Sequence, residues 1–320
     1  MTAESLRIHL ADVSCPLDVA SLFGRPGPLV VEIGFGNGIF FRDLAREHPD
    51  WNIIGAEIAA ASLTRGLGMI RREELDHVRL YCGDGHFVLR GLVAPRSLHR
   101  LYVNFPDPWP KEKHQEKRLL QAPFFRLLAS RLEPGTGEFW FTSDHEEYFE
   151  FSVREAESTG LFEIERGVPP EQALRTKYAQ RWQQEHKTIH HAVFRPRTAD
   201  VDGVPGPPLE VDMPHARLVG DLASIDRFEK QTFRENDGTI VLLECARELG
   251  GERLLIPAIV DEPDLRQDLL IEVRRAGSGK IYVELLAFGR PANTPLVQRA
   301  VECVAEWLRA QGMKDVTDAG

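Results

Sequence analysis

Along the first half of the chain, short apolar runs alternate with stretches whose apolar residues recur at helical spacing, and the breaks between them hold glycines and acids. Residues 28–33 (Pro-Leu-Val-Val-Glu-Ile) read as a short buried strand, and Ile39–Glu47 as the helix after it. The same rhythm predicts strands over 51–57, 78–82, 98–104 and 137–143, with helices over 59–75 and 118–131. Strands alternating with helices favour an α/β fold whose mostly parallel sheet is covered on both faces.

The rhythm changes near residue 200. The stretch Asp200-Val201-Asp202-Gly203-Val204-Pro205-Gly206-Pro207-Pro208 opposes both helix and central strand. It divides the chain into a domain over 1–199, a linker over 200–210 and a domain over 211–320. In the last of these, 269–274 and 280–287 form a strand pair joined by Ala276-Gly277-Ser278-Gly279, a hairpin signature. Residues 295–311 carry Leu296, Val301, Val304 and Leu308 on one helical face, which completes a small α+β domain.

Charge refines this division. The 320 residues carry a net charge of -10, of which residues 201–320 supply -7 and the first 200 only -3. This argues against a surface coated in base for nonspecific duplex binding, so a polyanion should meet the N-terminal part through a local patch. Cys15, Cys82, Cys245 and Cys303 are isolated and suggest neither a disulfide framework nor a zinc knuckle. With no basic-then-apolar leader and no apolar run approaching about 20 residues, a cytoplasmic protein is expected.

Between the first strand and its helix lies Glu32-Ile33-Gly34-Phe35-Gly36-Asn37-Gly38. Glycines here let a ligand approach the backbone closely, but the order G-x-G-x-G lacks the last glycine of the dinucleotide fingerprint. Glu57 ends the second strand, where an acid can accept from both hydroxyls of a ribose. Glu32 would repel a pyrophosphate, whereas it can pair with the ammonium of a sulfonium cofactor that carries an amino-acid tail. S-adenosylmethionine therefore suits these acids better than NAD, and Asp84, after the third strand, is a candidate for the adenine edge. For each acid alone, a solvated charge at a strand end is the bland alternative.

After the fourth strand comes Asn104-Phe105-Pro106-Asp107-Pro108-Trp109-Pro110-Lys111. Prolines on both sides of Asp107 restrict the directions its carboxylate can take. That group is placed to hold a base with its reactive nitrogen toward a methyl donor, while Trp109 either stacks on the base or packs under the turn. In the run Lys111 to Arg118 the basic members suit phosphate contacts, although Glu112 and Glu116 interrupt them. Asp144, at the end of the 137–143 strand, brings a further carboxylate that can accept from the N–H groups of a base.

Together these residues resemble the tRNA (guanine-N7)-methyltransferase family, whose members modify the variable-loop guanine, usually position 46. The glycine turn is common to many S-adenosylmethionine enzymes, but F-P-D-P-W-P-K followed by K-H-x-x-K-R is far more specific, and the likeness covers roughly residues 25–195. It implies a Rossmann-like fold and cofactor contacts from Glu32, Gly34, Gly36, Gly38, Glu57, Asp84 and Asp107, with Asp107 also catalytic. The same likeness makes Lys111, Asp144 and the run Thr176, Lys177, Tyr178, Ala179 substrate contacts, with tRNA as partner and no metal required. Ala179 stands where the family pattern T-x-Y/F-E has a glutamate. Two other classes stay open, an RNA-binding module without activity and a methyltransferase acting on another substrate. The acidic tail has no counterpart in the minimal family pattern; it would extend the RNA surface, support a homo-oligomer or, most simply, add stability.

Overall fold

The computed structural model describes residues 4–176, 179–181, 185, 187–197, 215–251, 253–277 and 279–316. Two compact units divide the chain: Met1–Ile8 with Val13–Gly206, and His9–Asp12 with Pro207–Gly320. Residues 200–210, where the linker is expected, lie outside the described residues.

In the first unit the strands are β1 (Arg7–Ile8), β2 (Leu29–Ile33), β3 (Asn52–Glu57), β4 (Val78–Cys82), β5 (Leu98–Asn104), β6 (Glu138–Ser143), β7 (Phe162–Arg166) and β8 (His190–Pro196). They form one sheet in the order β1-β4-β3-β2-β5-β6-β8-β7. Pairing is parallel from β1 through β6, and β8 runs antiparallel to both β6 and β7. Every residue of β2 is buried, four of them apolar as a doubly covered parallel strand favours and the fifth Glu32.

The longer helices of this unit are α1 (Ile39–Glu47), α2 (Ala60–Glu73), α3 (Ala122–Arg131) and α4 (Glu146–Thr159). Phe40 of α1 meets Tyr102 edge-on, with ring centroids 4.9 Å apart, on one side of the sheet. Phe125 of α3 stacks on Phe194, and Phe149 of α4 on Phe141, on the other. Both faces are thereby covered. The expected helix over 118–131 starts only at Ala122, because Gln121 is extended and Pro123 sits in the first turn, where its missing N–H costs nothing.

The second unit is a mixed α+β domain, richer in strand than the sequence pattern suggested. Its strands are β9 (His215–Val219), β10 (Gln231–Glu235), β11 (Gly238–Leu242), β12 (Ala246–Arg247), β13 (Arg253–Glu262), β14 (Leu265–Arg275), β15 (Lys280–Leu285) and β16 (Lys314–Asp315). The expected hairpin is β14–β15, and β14 also pairs along its length with β13. Leu254, Ile256, Ala258 and Val260 alternate on one face of β13 and share a core with Val297, Val301, Val304 and Leu308 of α5 (Pro295–Ala310). Pro257 is tolerated within this strand because its carbonyl, not an N–H, is used, accepting from Leu243 at 2.9 Å. Among the described residues, no helix is long and apolar enough to cross a membrane.

Candidate active site

Chain order reverses between β2 and β5, so the loops leaving these neighbouring strands part and open a crevice at their carboxyl ends. The loop after β2 is the glycine turn. Gly34, Gly36 and Gly38 have φ of 77°, 54° and 78°, a region that L side chains avoid. A Cβ on Gly34 would meet nothing within 4 Å, whereas one on Gly38 would strike the Phe41 ring at 2.7 Å. Gly34 thus leaves room along the crevice, while Gly38 is needed for packing. Phe35 anchors the turn from below, and its ring lies where a Cβ on Gly55 or Gly66 would fall, at 2.9 and 3.1 Å.

Glu57, at the end of β3, accepts from the N–H groups of Gly36 and Ala59, each at 3.0 Å. Those bonds fix its direction and leave carboxylate lone pairs for a ligand. Asp84 follows β4 and caps the short turn Gly85–Phe87, accepting from the His86 N–H at 2.6 Å.

Glu32 is 2% exposed, and its Oε2 has no hydrogen-bond partner. Burial pushes its pKa up from 4.5 to about 8; the nearby Asn104 amide tempers the rise and the charge of Glu57 adds to it. Asn104 ends β5, and neither end of its buried amide makes a bond of full geometry. Strand register puts the two on one face: Glu32 pairs with Tyr102, and Asn104 lies two residues further on. Leaving such groups unpaired is costly, so together they fit a cationic ligand that offers N–H donors. The ammonium of S-adenosylmethionine is such a group, and the space beside Gly34 is open.

The row continues across the sheet. Asn104 pairs with Thr142 and Thr142 with His191, whose Nδ1 lies 3.1 Å from the Thr142 hydroxyl. Burial pushes the His191 pKa down to about 4, so its ring is neutral at ordinary pH, and its Nε2 is another buried atom without a partner. Asn104 is the candidate site residue that sequence reasoning missed. Asn104 opens the proline motif, but only the β2–β5 pairing reveals Glu32 beside it.

In the proline turn, Phe105 and Trp109 both adopt positive φ, 53° and 42°, on either side of Asp107. The Asp107 carboxylate is exposed and makes no hydrogen bond among the described residues. Trp109 packs under Lys117, whose ammonium lies 5.2 Å from the ring centroid, and edge-on to His114. Lys111 is exposed on the same loop.

Arg118 departs from the expected phosphate role. It is 2% exposed; its Nε donates to the Pro108 carbonyl at 2.9 Å, and its Nη1 and Nη2 donate to Glu147 at 3.0 and 2.6 Å. A guanidinium so enclosed cannot reach a polyanion, so the basic patch is confined to the lysines and His114.

Asp144 follows β6 half-buried, at the same sheet edge as the other acids. In the Thr176–Ala179 run, the Thr176 hydroxyl donates to the Ala173 carbonyl at 2.8 Å and accepts from the Ala179 N–H at 3.3 Å. The Ala179 methyl is fully buried. Both residues are thus committed to local structure, and Lys177 and Tyr178 lie outside the described residues. Among the described residues, no group of three or more His, Cys, Asp or Glu side chains is arranged to hold a metal ion.

A doubly covered sheet with acids at the ends of β2, β3 and β4 around a glycine turn defines a methyltransferase that uses S-adenosylmethionine. The family described as "Putative methyltransferase" matches residues 26–192. The tRNA (guanine-N(7)-)-methyltransferase of Thermus thermophilus is 48% identical over 304 residues, 95% of this chain and 96% of that protein. Those of Deinococcus radiodurans and Thermotoga maritima are 39% and 31% identical, spanning 95% and 93% of this chain and 97% and 94% of their own lengths. The chain belongs to the tRNA (guanine-N7)-methyltransferase family. Matches of this length run through the second unit, so the acidic C-terminal domain has counterparts in these relatives.

Proposed function

We propose that this protein methylates N7 of a guanine in tRNA, at position 46 of the variable loop, with Asp107 as the catalytic residue. The observation that carries this reading is the placement of the Asp107 turn on β5, beside the unpartnered Glu32–Asn104 pair on β2 and β5. Bound there, S-adenosylmethionine would supply an electrophilic methyl group to the N7 lone pair, its sulfur keeping the electron pair of the carbon–sulfur bond as the leaving group. No proton has to leave N7, so Asp107 acts by orientation and charge rather than as an obligatory base. Its acceptor oxygens hold the base while positive charge grows on the purine. Glu32 and Asn104 hold the ammonium end, Glu57 the ribose and Asp84 the adenine edge. Lys111 meets backbone phosphate, and Asp144 accepts from the guanine N–H groups.

The compartment proposed for this activity is the cytoplasm, where tRNA is met. The test is methylation of two unmodified transcripts that differ only at position 46. The guanine-46 transcript should take up label from the methyl donor, and its adenine-46 counterpart should not. Equal labelling of both would overturn the assignment of position.

A further inference from the structure

Asp107 sits in a turn that cannot hold its own shape. Pro106, Pro108 and Pro110 have no N–H to give, so the usual cross-turn hydrogen bonds are lost, and two non-glycine residues with positive φ flank the carboxylate. Such a conformation persists only where its surroundings impose it. The Phe105 N–H ties the start of the turn to the Thr142 carbonyl of β6 at 2.8 Å. At its far side the donor is Arg118, which bonds the Pro108 carbonyl at 2.9 Å and approaches the Trp109 carbonyl at 3.5 Å.

The other edge of the same guanidinium grips both oxygens of Glu147, in the first turn of α4. The rings of Tyr148 and Phe151 pack against it, with centroids 5.1 and 4.7 Å away. Glu147 lies three residues beyond Asp144. One planar fork therefore joins the segment that carries Asp107 to the segment that carries Asp144.

Resting on the proposed roles of those two acids, we infer that Arg118 is a positioning residue: it sets the spacing of the carboxylates that frame the guanine and does not contact tRNA. Lysine keeps the charge but lacks the fork, so it cannot serve a carbonyl and a bidentate carboxylate together.

The experiment compares wild type, Arg118→Lys and Glu147→Gln in the full chain, using unmodified tRNA and S-adenosylmethionine. Wild-type turnover is measured first; its absence would defeat the proposed function itself, separately from this inference. Displacement of reacting groups by about an ångström lowers turnover by up to about a hundredfold, so Arg118→Lys should cost at least about tenfold in kcat. Cofactor affinity and the salt dependence of tRNA binding should match wild type. Glu147→Gln should lower kcat in the same direction by a smaller factor, and it decides the matter if the lysine variant fails to fold. Unchanged kcat in Glu147→Gln, a defect confined to KM with a shallower salt slope, or a tenfold loss of cofactor affinity would each overturn the inference.

Discussion

Replacing Glu32 by Gln separates what the folded chain tolerates from what its ligand needs. The carboxyl is 2% exposed with one oxygen unpartnered, and burial lifts its pKa from 4.5 to about 8. Between those values the unfolded chain has lost the proton and the folded chain keeps it. Unfolding therefore releases a proton, and stability falls as pH rises through the window, by about 1.4 kcal/mol per pH unit. Below 4.5 this cost is absent, and above the folded value of about 8 it stops growing. Over about three units, to near pH 7.5, the cost is about 4 kcal/mol. Glutamine has the same shape and nothing to ionise. Without ligand, Glu32→Gln should be about as stable as wild type near pH 4.5 and more stable by up to about 4 kcal/mol near pH 7.5. Hydrogen exchange of the β2 amides reads this in the unit concerned. The same proton must leave before the carboxylate can pair with an ammonium. Wild-type cofactor affinity should thus rise by up to about tenfold per unit between about pH 5.5 and 7.5, with close to one proton released in calorimetry. The glutamine variant should bind weakly with neither slope nor release. Equal stability differences at both pH values, or a glutamine variant less stable near pH 7.5, would refute the reasoning.

Two further substitutions probe the rest of the site. Gly34→Ala places a Cβ at φ 77° in open space, so it should cost only about 1 kcal/mol of stability, read by denaturant unfolding, yet weaken cofactor binding by more than tenfold if the proposed site for the cofactor's tail is right. Lys111→Ala should weaken tRNA binding and reduce the slope of log affinity against log salt by about one, and an unchanged slope in a salt titration would remove Lys111 from the phosphate contacts.

Much of this was legible in the chain. The largely apolar stretch expected as a strand over 28–33 is strand over Leu29–Ile33, and the helical spacing at Ile39–Glu47 marked that helix to the residue, because burial on both faces leaves little freedom in residue type. The second unit was harder. Its half-buried strands β9, β10 and β11 alternate over only five residues each, and Pro257 masks a central strand. At the site, acids that end parallel strands could be found because strand ends share an edge. What a side chain touches could not be found that way. Arg118 stands in a run of bases and looks like the others, yet its enclosure by Glu147, Tyr148 and Phe151 comes from a helix nearly thirty residues on. Likewise, Asn104 gains its meaning only from the neighbouring strand that carries Glu32.

The central claim is that Asp107 directs methyl transfer to guanine N7. Its most direct test is single-turnover methylation of unmodified tRNA by wild type and by Asp107→Asn, with tRNA and cofactor saturating and the product nucleoside identified after digestion. The account predicts 7-methylguanosine from wild type and a rate lower by about a hundredfold in the variant, with tRNA and cofactor binding retained. A methyl group on any other atom, or equal rates for the two proteins, would contradict it.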